Sequence, residues 1–314
     1  MQKKKLLTGI QSSGTLHIGN YFGALKPFVD MYEEYESTLM VADYHALTSL
    51  KDPAQLRNNI IDVVKDYIAV GVDQSKCTLF RQSDNPDHTE LAWILNCQVT
   101  VPFLMLAHSY KDKVAKGLEP NVGLFTYPML MAADILLYDT DVVPVGEDQR
   151  QHLEYAREAA NKLNLAYGEG LLTEPKEAIL KAVGVVPGTD GAKMSKSYGN
   201  TIPLFGTKDE IAKAVMGIVT DSSGERPENV FAIHKLVKEE AELEALYETH
   251  KGKYKNLKEA LIEDLESFIA PMRERRDNVS DADVKLVLAQ GAEKAKAVSS
   301  VTMERVRKAI GISL

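Results

Sequence analysis

Between Phe125 and His152 the chain reads FTYPMLMAADILLYDTDVVPVGEDQRQH. This stretch limits the possible folds more than any other, because an apolar helix, a β-branched strand and a second helix start follow one another almost without spacer. Tyr127, Met131, Asp134 and Tyr138 recur at helical spacing and share a face. Pro128 suits a first turn, where its missing N–H has no helical partner to lose, so the helix is expected to begin there. It stops at Asp139-Thr140-Asp141. The strand VVPVG follows, and Gly146 opens a helix at Glu147-Asp148-Gln149. Strand, glycine and helix is the geometry of a ligand-binding edge in an open α/β sheet.

Asp134 is the only charge in TYPMLMAADILLY. A carboxylate is costly to bury unless something donates to it. Asp134 is therefore either a helix-face acid paired with a Lys or Arg, or an acceptor in a binding site. Read alone, Glu147 and Asp148 are first-turn acids favoured by the helix dipole.

The preceding chain repeats the alternation. Leu6 to Ile10 reads as a buried strand, then the polar loop QSSGTLHIGN and an amphipathic helix. Strand, loop and helix N-terminus make an anion cradle, and Gly14 and Gly19 permit close approach to a phosphate. The loop is neither a nicotinamide fingerprint nor a Walker loop. Ser37 to Asp43 and Thr78 to Arg81 read as further strands, with helices at Pro53–Val70 and Asp87–Cys97. The single tryptophan, Trp93, is expected in the core, and Phe103 to Tyr110 is expected to be helical. This order predicts an α/β fold, a doubly wound parallel sheet.

The length of 314 residues favours two domains. From Lys208 onward helix follows helix, so the division is expected at 1–206 (α/β, with a helical insertion around 100–140) and 207–314 (all-α). A net charge of −8 excludes a global basic footprint, so any nucleic-acid partner needs a local patch. Two such patches stand out: Lys251, Lys253, Lys255 and Lys258, and Arg273, Arg275 and Arg276. Cys77 and Cys97 lack metal or redox spacing and read as free thiols in a reducing cytoplasm. The run after Lys3-Lys4-Lys5 breaks at Thr8-Gly9, too short for a secretory signal, and no segment reaches membrane-spanning length. A cytoplasmic protein is expected. The loop GTDGAKMSKSYGN, with two lysines and three glycines, reads as a cationic strap whose lysines would act as point charges on phosphate.

Four motifs now stand in order: QSSGTLHIGN, DYHALT, TYPMLMAADILLY with VPVGEDQRQH, and KMSKS. In this set the chain resembles the bacterial-type tryptophanyl-tRNA synthetases, a class I aminoacyl-tRNA synthetase family. His17-Ile18-Gly19-Asn20 resembles the HIGH signature, Lys193 to Ser197 is KMSKS, and GIVTDSSG (217–224) is also similar to the family. The resemblance implies a Rossmann-like catalytic domain and a helical domain for anticodon recognition. It implies ATP with Mg²⁺ as substrate, L-tryptophan, a tRNA partner and a homodimer, with no dedicated metal cage.

The resemblance also implies the site. His17, Asn20, Lys193, Ser195 and Lys196 would be catalytic. Gln11, Ser12, Ser13, Gly19, Lys113, Gly146, Glu147, Asp148, Val183, Met194 and Ser197 would join them in holding ATP. Leu7, Gly9, His45, Tyr127, Met131, Asp134, Ile135, Val143, Val145 and Gln149 would surround tryptophan. Indole offers one donor and no acceptor, which suits a lone carboxylate between apolar walls. The chain departs from commoner relatives at Leu7, Ser12 and Tyr198-Gly199-Asn200. A tyrosine-specific enzyme is the nearest alternative, since a phenol can also donate to Asp134, but VGEDQ differs from the GGxDQ stretch of those relatives. A synthetase-like protein that binds tryptophan or a nucleotide without charging tRNA is a third reading.

Overall fold

A computed structural model describes residues 3–10, 14–107, 110, 115, 117, 119–145, 150–179, 185–220 and 226–313. Five strands, β1 (Lys5–Ile10), β2 (Glu36–Val41), β3 (Cys77–Arg81), β4 (Val142–Val145) and β5 (Lys176–Ile179), form one sheet in the order β3-β2-β1-β4-β5. Every pairing is parallel. The chain winds outward from β1 to β3, then restarts on the other side of β1 with β4. This reversal places the switch point between β1 and β4, where an open α/β sheet offers its ligand crevice beyond the C-terminal strand ends. QSSG and GEDQ follow those two ends in sequence.

The strands are buried on both faces, as parallel sheets are. Leu6, Leu39, Val41 and Leu79 pack on one side. Leu7, Met40, Phe80 and Val143 pack on the other. Adjacent residues point to opposite faces because the strand period is two. The helical connections are α1 (Ile18–Asn20, a π turn at Tyr21–Leu25, then Lys26–Met31), α2 (Asp43–Ala46), α3 (Pro53–Ala69), α4 (Asp87–Asn96), α5 (Val101–Leu104), α6 (Val122–Leu136) and α7 (Arg150–Tyr167). Beyond residue 206 follow α8 (Lys208–Met216), α9 (Glu228–His234), α10 (Glu240–Thr249), α11 (Tyr254–Asp277) and α12 (Asp281–Ala309). Among the described residues no helix is long and apolar enough to cross a membrane.

Four sequence expectations need correction. Pro128 lies inside α6, not at its start. The helix begins a turn and a half earlier, where the Asn121 side chain accepts the Leu124 N–H at 2.8 Å, and this cap outweighs the one hydrogen bond that proline forfeits. Trp93 is 72% exposed. Its helix buries His88, Leu91, Ala92, Ile94 and Leu95 instead, which turns Trp93 outward. The helix expected over Phe103–Tyr110 starts earlier and ends at Leu104, with turn at Met105 and Leu106. The strand read as Ser37–Asp43 ends at Val41, and Asp43 opens α2.

The arginine patch of the helical region and Lys258 are internal fastenings, while Lys251, Lys253 and Lys255 are exposed. Arg276 donates to Asp66 at 2.5 Å and Asp62 at 2.8 Å, and Arg275 to the Ala69 carbonyl at 2.8 Å. Arg273 holds Glu266 and the Gly206 carbonyl. Lys258 donates to the carbonyls of Met216 and Ile218. Helix α12 returns to the sheet, burying Ala295, Met303 and Val306 in the same core as Leu7 and Phe80.

Candidate active site

Asp134 projects from α6 into a fully buried position, with 2% of its surface exposed. Burial alone would raise its pKa. Hydrogen bonds from His45 and His88 reverse that and hold the carboxyl below the usual carboxylate range. His45 Nε2 lies 2.9 Å from Oδ2. On Oδ1 converge Gln82 Nε2 at 2.7 Å and His88 Nδ1 at 2.7 Å. The partner of Asp134 is thus neither a Lys nor an Arg but two imidazoles and an amide.

Two of the donors come from just beyond strand ends, and His88 from the first turn of α4. His45 sits on α2, just past β2, and Gln82 just past β3. Gln82 is also fixed by accepting the Tyr44 N–H at 3.1 Å. Asp43 caps the neighbouring turn, accepting the N–H groups of Tyr44 and Ser83. Tyr127 packs edge-on to His45, with centroids 6.1 Å apart, and its hydroxyl meets His152 Nε2 at 2.8 Å. Leu7, Ile135 and Val143 are buried in the core around this network, with Met131 partly buried against it. Gly9 lies on the same strand as Leu7, facing the Met40 side chain.

The two signature loops meet on the other side of β1. Ile18 N–H donates to the Ile202 carbonyl at 3.0 Å and Leu204 N–H to the Leu16 carbonyl at 3.0 Å, so the segment after KMSKS is stitched to the segment before HIGN. A Cβ on Gly19 would stand 2.9 Å from His17 Nδ1 and 3.1 Å from Met194 Cβ, so only glycine lets the loops close. Met194 is buried there. Lys196 Nζ lies 3.6 Å from where a Cβ of Gly14 would be. Asn20 Oδ1 accepts the His17 N–H at 3.1 Å and steadies the turn. Burial brings the His17 imidazole down to about 4, and the Lys196 ammonium pushes the same way. His17 is therefore neutral near pH 7, and its buried Nδ1 has no partner among the described residues.

Asn200 organises the KMSKS strap. It is buried, accepts the Ser195 N–H at 2.8 Å, and donates to the Lys193 carbonyl at 3.1 Å and Asp190 at 2.7 Å. Ser195 and Ser197 share a hydroxyl hydrogen bond of 2.9 Å, and Lys193 and Lys196 are exposed. An anchored backbone carrying exposed cationic side chains can meet a polyanionic ligand.

The structure thus brings His17, Gly19, Asn20, Met194 and Lys196 together, and His45, Tyr127 and Asp134 together. Gln11, Ser12, Ser13, Lys113, Gly146, Glu147, Asp148, Gln149 and Val183 lie outside the described residues, as does the side chain of Val145. Sequence reasoning missed Gln82, His88 and Asn200. Their signals were faint: a polar run, RQSDNPDH, directly after a strand, and an asparagine closing a glycine-rich loop.

A family profile described as tRNA synthetases class I (W and Y) matches residues 1–295. A tryptophan--tRNA ligase of Fusobacterium nucleatum subsp. nucleatum is 45% identical, over 98% of this chain and 98% of its own. One of Rhodopirellula baltica is 43% identical, over 98% and 99%. The solved structure of a tryptophanyl-tRNA synthetase from Campylobacter jejuni, complexed with ADP and tryptophan, is 41% identical with a TM-score of 0.93, over 98% of this chain and 99% of that one.

Proposed function

Because the chain belongs to the class I tRNA synthetases of the tryptophan and tyrosine family, we propose a division of labour among its residues that carries out that family's two-step reaction. The chain is a tryptophan--tRNA ligase. In the first step the tryptophan carboxylate attacks the α-phosphorus of ATP and pyrophosphate leaves. In the second a ribose hydroxyl of the tRNA attacks the activated carbonyl and AMP leaves. The substrates supply both nucleophiles, so the protein's work is positioning and charge neutralisation.

The observation that carries the site assignment is Asp134, a buried carboxylate with several donors already on it and, among the described residues, no Lys or Arg beside it. It accepts the indole N–H, while Leu7, Gly9, His45, Met131, Ile135, Val143 and Val145 shape the walls. Tyr127 and Gln149 hold the amino and carboxylate groups. A site built for a donated hydrogen bond rejects phenylalanine by about 10⁴ or more, because the acceptor is left unpaired.

ATP enters as its Mg²⁺ complex. The loop donors Gln11, Ser12 and Ser13, with His17, Gly19 and Asn20, take the phosphates nearest β1. Lys113, Lys193, Ser195, Lys196 and Ser197 take the leaving pyrophosphate. Gly146, Glu147 and Asp148 take the ribose, and Val183 with Met194 borders the adenine. The close approach of Lys196 to Gly14 and the neutral state of His17 support this placing of the phosphates.

The helical region from 207 to 314 takes part in reading the tRNA anticodon, and the enzyme works in the cytoplasm. It acts as a homodimer. The apolar side chains Trp93, Val101 and Val122, exposed on α4, α5 and α6, support a second copy of this chain as their cover.

Pyrophosphate–ATP exchange driven by tryptophan, tyrosine and phenylalanine in parallel tests the reading. Exchange with tryptophan alone is expected. Exchange with tyrosine would overturn the specificity, and exchange with none would favour a binding protein.

A further inference from the structure

A carboxylate offers about four lone-pair positions. On Asp134, Gln82 and His88 both donate to Oδ1, and His45 donates to Oδ2. Three positions are taken by described residues and one remains, on Oδ2. The open position matches a ligand that brings a single N–H.

His88 is itself held from behind. Its Nε2 lies 2.8 Å from the Tyr138 hydroxyl, and that hydroxyl receives an Asn85 Nδ2–H at 3.1 Å. The second Asn85 N–H goes to Ser299 Oγ on α12 at 2.9 Å, and Ser299 donates to Asp87 at 2.7 Å. The hydrogens run in one sense only. The Asn85 amide nitrogen has no lone pair to accept with, so Tyr138 accepts from Asn85 and donates to His88 Nε2. His88 then carries its proton on Nδ1 and gives it to Asp134. The ring is stacked on buried Phe80, with centroids 5.8 Å apart. His88, Asn85, Gln82 and Ser299 are each fully buried.

We propose that Gln82 and His88, the latter set by Tyr138 and Asn85, are positioning residues that keep Asp134 an acceptor-only carboxylate with one open position, and that they thereby select a ring bearing one N–H donor. A protonated Asp134 would itself present an O–H and repel the indole donor. The proposal rests on the reading of Asp134 as the indole acceptor. It assigns the selection to residues that never touch the substrate.

The test compares wild type with His88→Ala, His88→Asn, Tyr138→Phe and Asp134→Ala in tryptophan-dependent pyrophosphate–ATP exchange across pH. Around Asp134 the titrating groups are His45 from α2 and His88 from α4, with Tyr138 on its own helix and Asp87 beyond. His88→Ala is expected to raise the tryptophan KM about tenfold or more, the worth of a hydrogen bond to a charged group, with the ATP KM unchanged. Burial then acts on Asp134 with less opposition, so its pKa rises. The tryptophan KM of His88→Ala should therefore worsen more steeply than that of wild type as pH falls. Asparagine can place an N–H where Nδ1 stood, so His88→Asn should restore most of the loss. Tyr138→Phe removes only a hydroxyl and should shift the tryptophan KM in the same direction by a smaller factor.

If His88→Ala and Tyr138→Phe keep the wild-type tryptophan KM and its pH profile while Asp134→Ala abolishes exchange, the positioning role is overturned and the indole acceptor stands. A loss equal at every pH and equal for both substrates also overturns it, as that is what a purely structural role does. If Asp134→Ala retains exchange, the reading beneath the proposal fails as well.

Discussion

Gly291 of α12 rests on the carbonyl of Leu79 in β3 so closely that a Cβ at Gly291 would stand 1.8 Å from that oxygen. The last helix thus docks backbone to backbone against the strand that leads to Gln82. Two opposing effects bear on Gly291→Ala. Alanine stabilises a helix interior over glycine by about 1 kcal/mol, but the clash is with main chain that cannot step aside. Overpacking costs about 1–3 kcal/mol, occasionally more, so the clash wins. Gly291→Ala should lower the midpoint of thermal unfolding, as followed by circular dichroism. An unchanged or raised midpoint would mean that α12 sits farther from β3.

Asn200 holds the KMSKS strap together through its side chain. Its amide ties Ser195, Lys193 and Asp190 into one unit. Asn200→Ala should leave the fold in place and release the strap, slowing tryptophan activation by about tenfold or more, since small misplacements of positioned groups are that costly. Single-turnover adenylate formation measures it, and a rate equal to wild type would show that the strap is ordered by other contacts.

Lys196 lies against the loop after β1, its Nζ 3.6 Å from where a Cβ of Gly14 would be. A charge placed to meet the departing pyrophosphate acts most in the transition state. Lys196→Ala should therefore reduce kcat for activation far more than it raises the ATP KM. Equal losses in both would identify Lys196 as a ground-state binding group.

His17 titrates at about 4 in the folded protein against an ordinary 6.5. Between these values the unfolded chain binds a proton that the folded chain refuses. Stability contributed by neutral His17 is complete above about 6.5 and declines as pH falls toward about 4. Unfolding midpoints recorded across that range should fall more steeply for wild type than for His17→Gln. Parallel slopes would place the His17 pKa near its ordinary value.

The layout of the sheet was readable from residues 6 to 145 because strand and helix periods are local. Buried runs of β-branched and apolar residues alternate with amphipathic helices, and only a parallel doubly wound sheet satisfies that order. β5 escaped notice for the same reason. Its four residues, KEAI, carry two charges and no pattern, and only the exposed hydrogen-bonding edge of β4 makes them a strand. Trp93 shows the limit from the other side. Hydrophobicity says that it prefers cover, but which face of α4 meets the core is decided by His88, Leu91 and Leu95 reaching α6 and the sheet.

By itself, then, the sequence determined the alternating fold, the two signature loops and the one carboxylate in an apolar helix. These rest on residues a few positions apart, whose physics is written in spacing. The tertiary structure alone decided what surrounds that carboxylate. Gln82 and His88 lie 52 and 46 positions from Asp134, and Asn85 lies 214 from Ser299. No local period links such residues. They meet because burying a charge requires donors, and only the packed sheet brings those donors within hydrogen-bonding distance.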